Sequence, residues 1–284
     1  MILDYLQLPF AQHALIAATL IAIIAGLIGP FVASRDMAFA VHGTAELSFT
    51  GAAAGLLIAG DAVGGALVGS LFVATAIGLL GDRPRERNSA IGVILAAGLG
   101  LGVLLLSFYK GFATQATNIL FGQIFGVSTQ DIIILSIIAL GVLIVMGFIH
   151  RPLQFSSIDP DVAVARGVNT RLVGLIFVFA LALTVTEASQ IVGTLLVLSL
   201  AITPAAAARH LSANPRRVTV LSIAFALIAA DGGLLAGLQF SVIKASVFIS
   251  GFSFLIYLIA RLIGHLRGRV RRTSASVERA EAAR

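Results

Sequence analysis

An all-α, polytopic membrane protein is the fold class that this sequence predicts, and three observations predict it. Of its 284 residues 58% are hydrophobic and only 11% charged, for a mean hydropathy of +1.04, whereas soluble domains carry about 25% charged residues. Apolar runs of about 20 residues, enough to cross a bilayer core about 30 Å thick, recur along the chain. The basic residues fall almost entirely into alternate gaps between those runs.

The runs give nine spans, near residues 14–32, 37–60, 62–80, 90–108, 131–149, 172–186, 191–208, 218–238 and 246–263. The sixth is short, and the second and third nearly touch at Asp61, so eight and ten are the alternatives. Residues 1–12 lack the basic start and cleavage site of a secretory signal, so the first run is expected to stay as a span. With the N-terminus outside and the C-terminus cytoplasmic, inner gaps hold Arg35; Arg83, Arg85 and Arg87; Arg151, Arg166 and Arg171; Arg209, Arg216 and Arg217; and the C-terminal arginines. Only Lys110 and Lys244 fall outside. This asymmetry is the positive-inside rule, and it favours nine spans over eight.

The net charge of +6 comes mostly from the end of the chain, where residues 261–284 hold seven arginines and two glutamates. The chain therefore divides into a transmembrane domain, 1–264, and a basic cytoplasmic tail, 265–284, expected to be disordered and drawn to anionic lipid. Nucleic acid is not an expected partner. The 29 glycines suit closely packed membrane helices. The absence of cysteine removes disulfides and thiolate metal ligation.

Two gaps are long enough to hold structure. The outer one, 109–130, is amphipathic, fit to lie in the interface or dip back into the protein, and Ser128 with Asp131 reads as a capping box opening the fifth span. In the inner one, Asp159 is a good N-cap, Pro160 suits the first helical position, Asp161 favours the positive helix end, and Gly167 suits a left-handed stop. A cytoplasmic helix over 160–166 follows, either a docking surface for a soluble partner or a solvated connector.

The polar residues inside the spans are few. His42 and Glu46 stand four apart in the second span, so a helix stacks them on one face. Counted from Arg35 at 1.5 Å per residue they lie roughly 10 and 16 Å into the membrane. Glu46 is thus near the midplane, where an ionised carboxylate costs at least a few kcal/mol unless paired or wetted. The pair is either a cation path or a hydrogen-bonded couple that fixes helix packing. Glu187, at the outer end of the sixth span, could guide cations or simply be solvated. Asp231, in the eighth, could be a second ion contact or a hydrogen-bonded helix break. His13, His150, His210 and His265 sit at span ends and read as interfacial, and Pro204 reads as a kink in the seventh span.

Several ordered segments resemble one family, the membrane permease subunits of ATP-binding cassette importers for zinc, manganese and iron ions. The segment Asp159-Pro-Asp-Val-Ala-Val-Ala-Arg-Gly-Val-Asn-Thr-Arg171 looks like the family's coupling segment. Gln190-Ile-Val-Gly-Thr-Leu-Leu-Val and Ile202-Thr-Pro-Ala-Ala-Ala-Ala-Arg209 resemble its seventh-span pattern. Phe121-Gly-Gln-Ile-Phe-Gly-Val-Ser128 resembles the stretch before the fifth span, and Arg35 and Met37 fit the start of the second.

The resemblance implies a permease in the cell (plasma or inner) membrane, paired with a second copy or a paralogue. It implies separate ATP-binding cassette ATPase subunits and an extracytoplasmic metal-binding protein as partners. The permease would not itself be an enzyme, and no G-x-x-x-x-G-K-[ST] phosphate loop occurs in it. His42 and Glu46 would line the metal pathway, with Asp231 and Glu187 as secondary ion contacts. Asp159, Pro160, Asp161, Ala165 and Gly167 would couple to the ATPase, and Gly193 and Pro204 would serve gating or packing. Two His42 and two Glu46 about a twofold axis give a nitrogen and oxygen site suited to Zn²⁺, Mn²⁺ or Fe²⁺. No intrinsic cofactor is expected, only the transported ion.

Three features depart from the family pattern. The second span usually has aspartate followed four residues later by histidine, and here His42 and Glu46 invert that order. The following Leu-Pro-Gly is Phe49-Thr50-Gly51. In place of a Tyr-x-x-Asp-x-Pro-Thr-Gly-like loop stands Phe240-Ser-Val-Ile-Lys-Ala-Ser246. Two other readings remain at this level. A permease for a metal chelate, siderophore- or cobalamin-like, would need a wide apolar passage, and a proton-coupled secondary carrier would use Glu46 or Asp231 as its relay.

Overall fold

A computed structural model describes residues 7–79, 84–109, 122–194, 197–240 and 243–281, with side chains 79, 84–87 and 267–281 left aside. Among the described residues there are eleven α-helices and no strand. Six helices are long and apolar enough to cross a membrane.

The first helix, α1 (Pro9–Ser34), opens on a proline whose missing N–H costs nothing in a first turn. It reverses into α2 (Ala38–Ala59) through three residues. Asp36 turns the corner at φ +53°, a left-handed conformation that aspartate tolerates better than most residues. Gly60 ends α2 at φ +70°, and the Asp61 carboxylate accepts from the Gly64 amide at 3.0 Å to start α3 (Ala62–Leu79).

The α2–α3 hairpin is packed backbone to backbone. A Cβ on Gly51 would meet the Gly65 carbonyl, and one on Gly69 would meet the Leu47 carbonyl at 2.5 Å. Small residues allow such an approach, and lipid offers no hydrophobic force to replace it. On its other side α2 meets α4 (Pro84–Phe108), where Thr50 donates to the Gly98 carbonyl at 2.6 Å.

The chain then forms a 3₁₀ turn, Ile124–Gly126, and α5 (Thr129–Ile158). The expected capping box is formed, with the Asp131 amide donating to Ser128 Oγ at 3.2 Å and the Ser128 amide to Asp131 at 2.9 Å. The amphipathic reading of the outer gap falls mainly on 110–121, outside the described residues. The expected short helix follows as α6 (Pro160–Ala165), then α7 (Thr170–Val192).

Three expectations need correction. The sixth span does not stop at 186: α7 continues to Val192 with Glu187 and Ser189 buried. The charge of Glu187 marks no boundary, because the helix keeps it inside the protein. The seventh span is not one kinked helix. Gly193, at φ +97°, ends α7, and the chain resumes as α8 (Val197–Ala201) and α9 (Thr203–Leu211). Pro204 stands in the first turn of α9 and opens it, the position its ring favours. Finally, α10 (Pro215–Gln239) leads to α11 (Ala245–Glu281), which runs past residue 265 where a disordered tail is expected. Its end, Glu278-Arg-Ala-Glu281, consists of good helix formers.

The core gathers around α1 and α7, through Ile21, Ile28, Phe177 and Leu181. The outer helices α4, α5 and α11 expose large apolar side chains such as Leu101, Ile137, Phe148, Phe254 and Leu262. Apolar faces turned outward fit a surrounding of lipid rather than water.

Candidate metal pathway

Helix α2 carries the pair that the sequence singles out, and α2 is enclosed by α3, α4 and α7. Glu46 is 2% exposed, and its Oε2 has no hydrogen-bond partner. The buried Nδ1 of His42 also lacks a partner. The stacked spacing is therefore real, but no hydrogen bond joins the two side chains. A His–Glu couple that merely fixes packing would use those atoms, and here both are left over.

His42 also lines a shallow pocket of about 350 Å³ with Phe39, Leu198, Ser199 and Thr203. That wall is the break between α8 and α9, so the backbone irregularity of the seventh span lies beside the histidine. Non-helical backbone at membrane depth is tolerated where it faces protein or a cavity. Among the described residues no three His, Asp or Glu side chains gather into a metal cage.

Two more acidic residues have distinct settings. Glu187 is 6% exposed with Oε1 unpartnered, and it lines a cavity on the far side of α2 rather than the bulk surface. The solvated reading of Glu187 does not hold. Asp231 accepts a bond from Thr19 Oγ1 of α1 at 3.1 Å, and α10 passes through it unbroken, so it ties two helices without interrupting one. His13, His150 and His210 contact Val127, Phe31 and Tyr257 respectively.

The α6 segment is built as its residues suggest. Asp159 accepts from the Val162 amide at 3.0 Å, and Pro160 opens the helix. Gly167 turns it off at φ +81°, with its amide donating to the Val164 carbonyl at 2.9 Å. Ala163 is fully buried and anchors the helix, while Asp161, Val162 and Val164 are exposed. The exposed valines on this well-capped helix were not flagged by the sequence. Behind α6, Arg35 binds the hydroxyls of Ser156 and Ser157 and lies 5.9 Å from the Phe177 ring.

Known proteins resemble this chain in sequence and in fold. The profile of the ABC 3 transport family matches residues 7–264. The manganese transport system membrane protein MntC of Halalkalibacterium halodurans is 33% identical over 239 residues, covering 84% of this chain and 80% of that protein. The manganese import system permease protein ScaB of Streptococcus parasanguinis is 31% identical over 253 residues, covering 88% and 90%. The solved structure of PsaBC from Streptococcus pneumoniae in complex with Fab superposes with a TM-score of 0.82 at 29% identity, covering 91% of this chain and 94% of that one.

Proposed function

The chain belongs to the ABC 3 transport family, and from that membership we propose that it is the membrane permease of an ATP-driven importer for a divalent transition metal ion. Among manganese, zinc and iron, manganese comes first, because relatives above 30% identity are named for manganese transport or import. In this reading nine spans run with the N-terminus outside. Two copies, or this chain and a paralogue, meet about a twofold axis. Separate ATPase subunits hydrolyse ATP, and an extracytoplasmic protein delivers the ion.

The observation that carries this reading is Glu46. In this reading α2 is a membrane span, and a carboxyl 2% exposed within it, one turn from an imidazole and with its Oε2 unpartnered, is costly to keep. A passing divalent cation supplies the missing partner, and a second His42–Glu46 pair would complete its shell with mixed nitrogen and oxygen donors. Helix α7 begins beside α6 and packs against α2. A displacement of α6 by an ATPase would therefore reach the pair through one rigid element.

The test is manganese uptake into proteoliposomes containing the assembled importer. His42→Ala with Glu46→Ala abolishes uptake while the subunits still assemble. Uptake that survives both changes removes the pair from the ion path.

A further inference from the structure

Nine buried side-chain polar atoms among the described residues lack a hydrogen-bond partner, and four of them line one cavity: Ser48 Oγ, Glu187 Oε1, Gln190 Nε2 and Thr194 Oγ1. The cavity, about 160 Å³, lies between α2, α3, α5 and α7. It sits at the ends of α5 and α7 remote from α6, since α6 joins the other two ends. Asp131, Gln123 and Ser189 complete its polar lining, the Ser189 hydroxyl donating to the Thr186 carbonyl at 2.8 Å.

Such clustering needs a cause. More than 90% of buried polar groups are paired in native proteins, and each orphan costs about 1–3 kcal/mol. Glu187 is 6% exposed, and Ser48 and Thr194 are 1% exposed each, so bulk water does not satisfy them. Asp131 is held in place by Ser128, whose amide and hydroxyl donate to its Oδ2 at 2.9 and 2.7 Å. Two carboxylates, three hydroxyls and two amides thus line a space with room for an ion and part of its water shell. The amide of Gln190 presents oxygen instead of nitrogen by a simple flip.

We propose that this cavity is a second cation site, separate from His42 and Glu46, which holds a divalent ion through oxygen donors alone before the ion reaches the pair. The proposal rests on the reading of the chain as a metal permease. Along α2, Ser48 stands two residues beyond Glu46, roughly 3 Å of helix rise but about 200° around the axis, so one helix carries the two sites on opposite faces. Their chemistry differs. An all-oxygen site accepts hard cations, Mn²⁺ with Ca²⁺ and Mg²⁺ as competitors, whereas an imidazole nitrogen disfavours Ca²⁺. The outer site would collect a partly hydrated ion, and the inner one would select it.

The experiment uses the full-length protein in lipid nanodiscs, titrated with Mn²⁺ and read by pulsed electron paramagnetic resonance. Two bound populations are expected: one with nitrogen modulation from His42, and one without it that Ca²⁺ displaces. Glu187→Gln, which keeps the volume and removes the charge, weakens the Ca²⁺-displaceable population about tenfold or more and leaves the nitrogen-coupled one. Ser48→Ala with Thr194→Val weakens the same population, and it decides the matter if the first variant does not fold. A Ca²⁺-displaceable population that is absent from the parent protein, or unchanged in these variants, overturns the proposal. A parent protein with that population but no nitrogen-coupled one supports the outer site and overturns the His42–Glu46 path.

Discussion

The α6 end of the molecule and the neighbourhood of α2 treat their polar groups in opposite ways. Around α6 they are matched: Asp159 caps Val162, Asn169 caps Leu172 at 3.0 Å, Asn214 caps Arg216 at 3.0 Å, and Arg35 holds Ser156 and Ser157. Beside α2, Glu46, His42, Ser48, Glu187 and Thr194 all keep an atom without a partner. Water reaches the first region and not the second, so solvent exposure alone would have produced the reverse pattern. A fully bonded end suits a part that must receive force without deforming. An under-bonded interior suits one whose missing partner arrives as cargo.

If that contrast is right, substitutions at the two places change stability in opposite directions. The largest effect belongs to Arg35→Leu. It removes two hydrogen bonds from a charged donor, each worth about 1.5–3 kcal/mol, and leaves the Ser156 and Ser157 hydroxyls only the bonds that they donate to the Leu153 carbonyl. Thermal unfolding in detergent should show a loss of about 2–4 kcal/mol, and no change of that size would mean that the bonding around α6 is ornamental.

Glu187→Leu reverses the sign. The parent buries an unsatisfied carboxyl, and an apolar side chain of similar size relieves that cost of about 1–3 kcal/mol. The metal-free variant should unfold at a higher temperature than the parent, yet transport manganese poorly. Glu46→Leu should behave likewise, with transport lost altogether. Gaining stability while losing activity is the signature of a site held ready for a ligand. A destabilised Glu187→Leu protein would show instead that the carboxyl supports the fold.

The sequence and the structure agree best where the physics is local. Ser128 with Asp131, and Asp159 with Pro160, announce their caps within four residues, and both caps form. Apolar runs located the helices for the same reason, because crossing a bilayer demands a continuous length. Of the two readings of Glu187, the solvated one fell because only the surrounding helices keep dry a charge that near a span end is usually wet. The cavity beside Glu187 was illegible for a related reason. Ser48, Gln190 and Thr194 are unremarkable residues on two distant segments, and nothing in either segment records that the other's polar atoms are also unpaired. The break after Gly193 needed a backbone angle of +97°, which glycine permits but does not announce.

The smallest stability effect, and the one that best separates structure from coupling, is at Asp159. Its carboxylate satisfies one of the free amides at the start of α6, and replacement by alanine costs about 1 kcal/mol. That loss falls on a helix of six residues, too short to hold its shape without caps and packing. In the assembled importer, Asp159→Ala should lower manganese uptake by several fold while Mn²⁺ binding at the His42–Glu46 pair stays as in the parent. Asp159→Ser, which keeps a capping oxygen without the charge, should restore most of the uptake. Asp161→Asn, at an exposed position that caps nothing, addresses the remaining question of charge. If serine restores uptake and Asp161→Asn lowers it, α6 acts both as a preformed helix and as a charged contact for its ATPase. Should serine fail to restore it, the carboxylate of Asp159 itself is the contact, and the matched end of the molecule is less purely structural than its hydrogen bonds suggest.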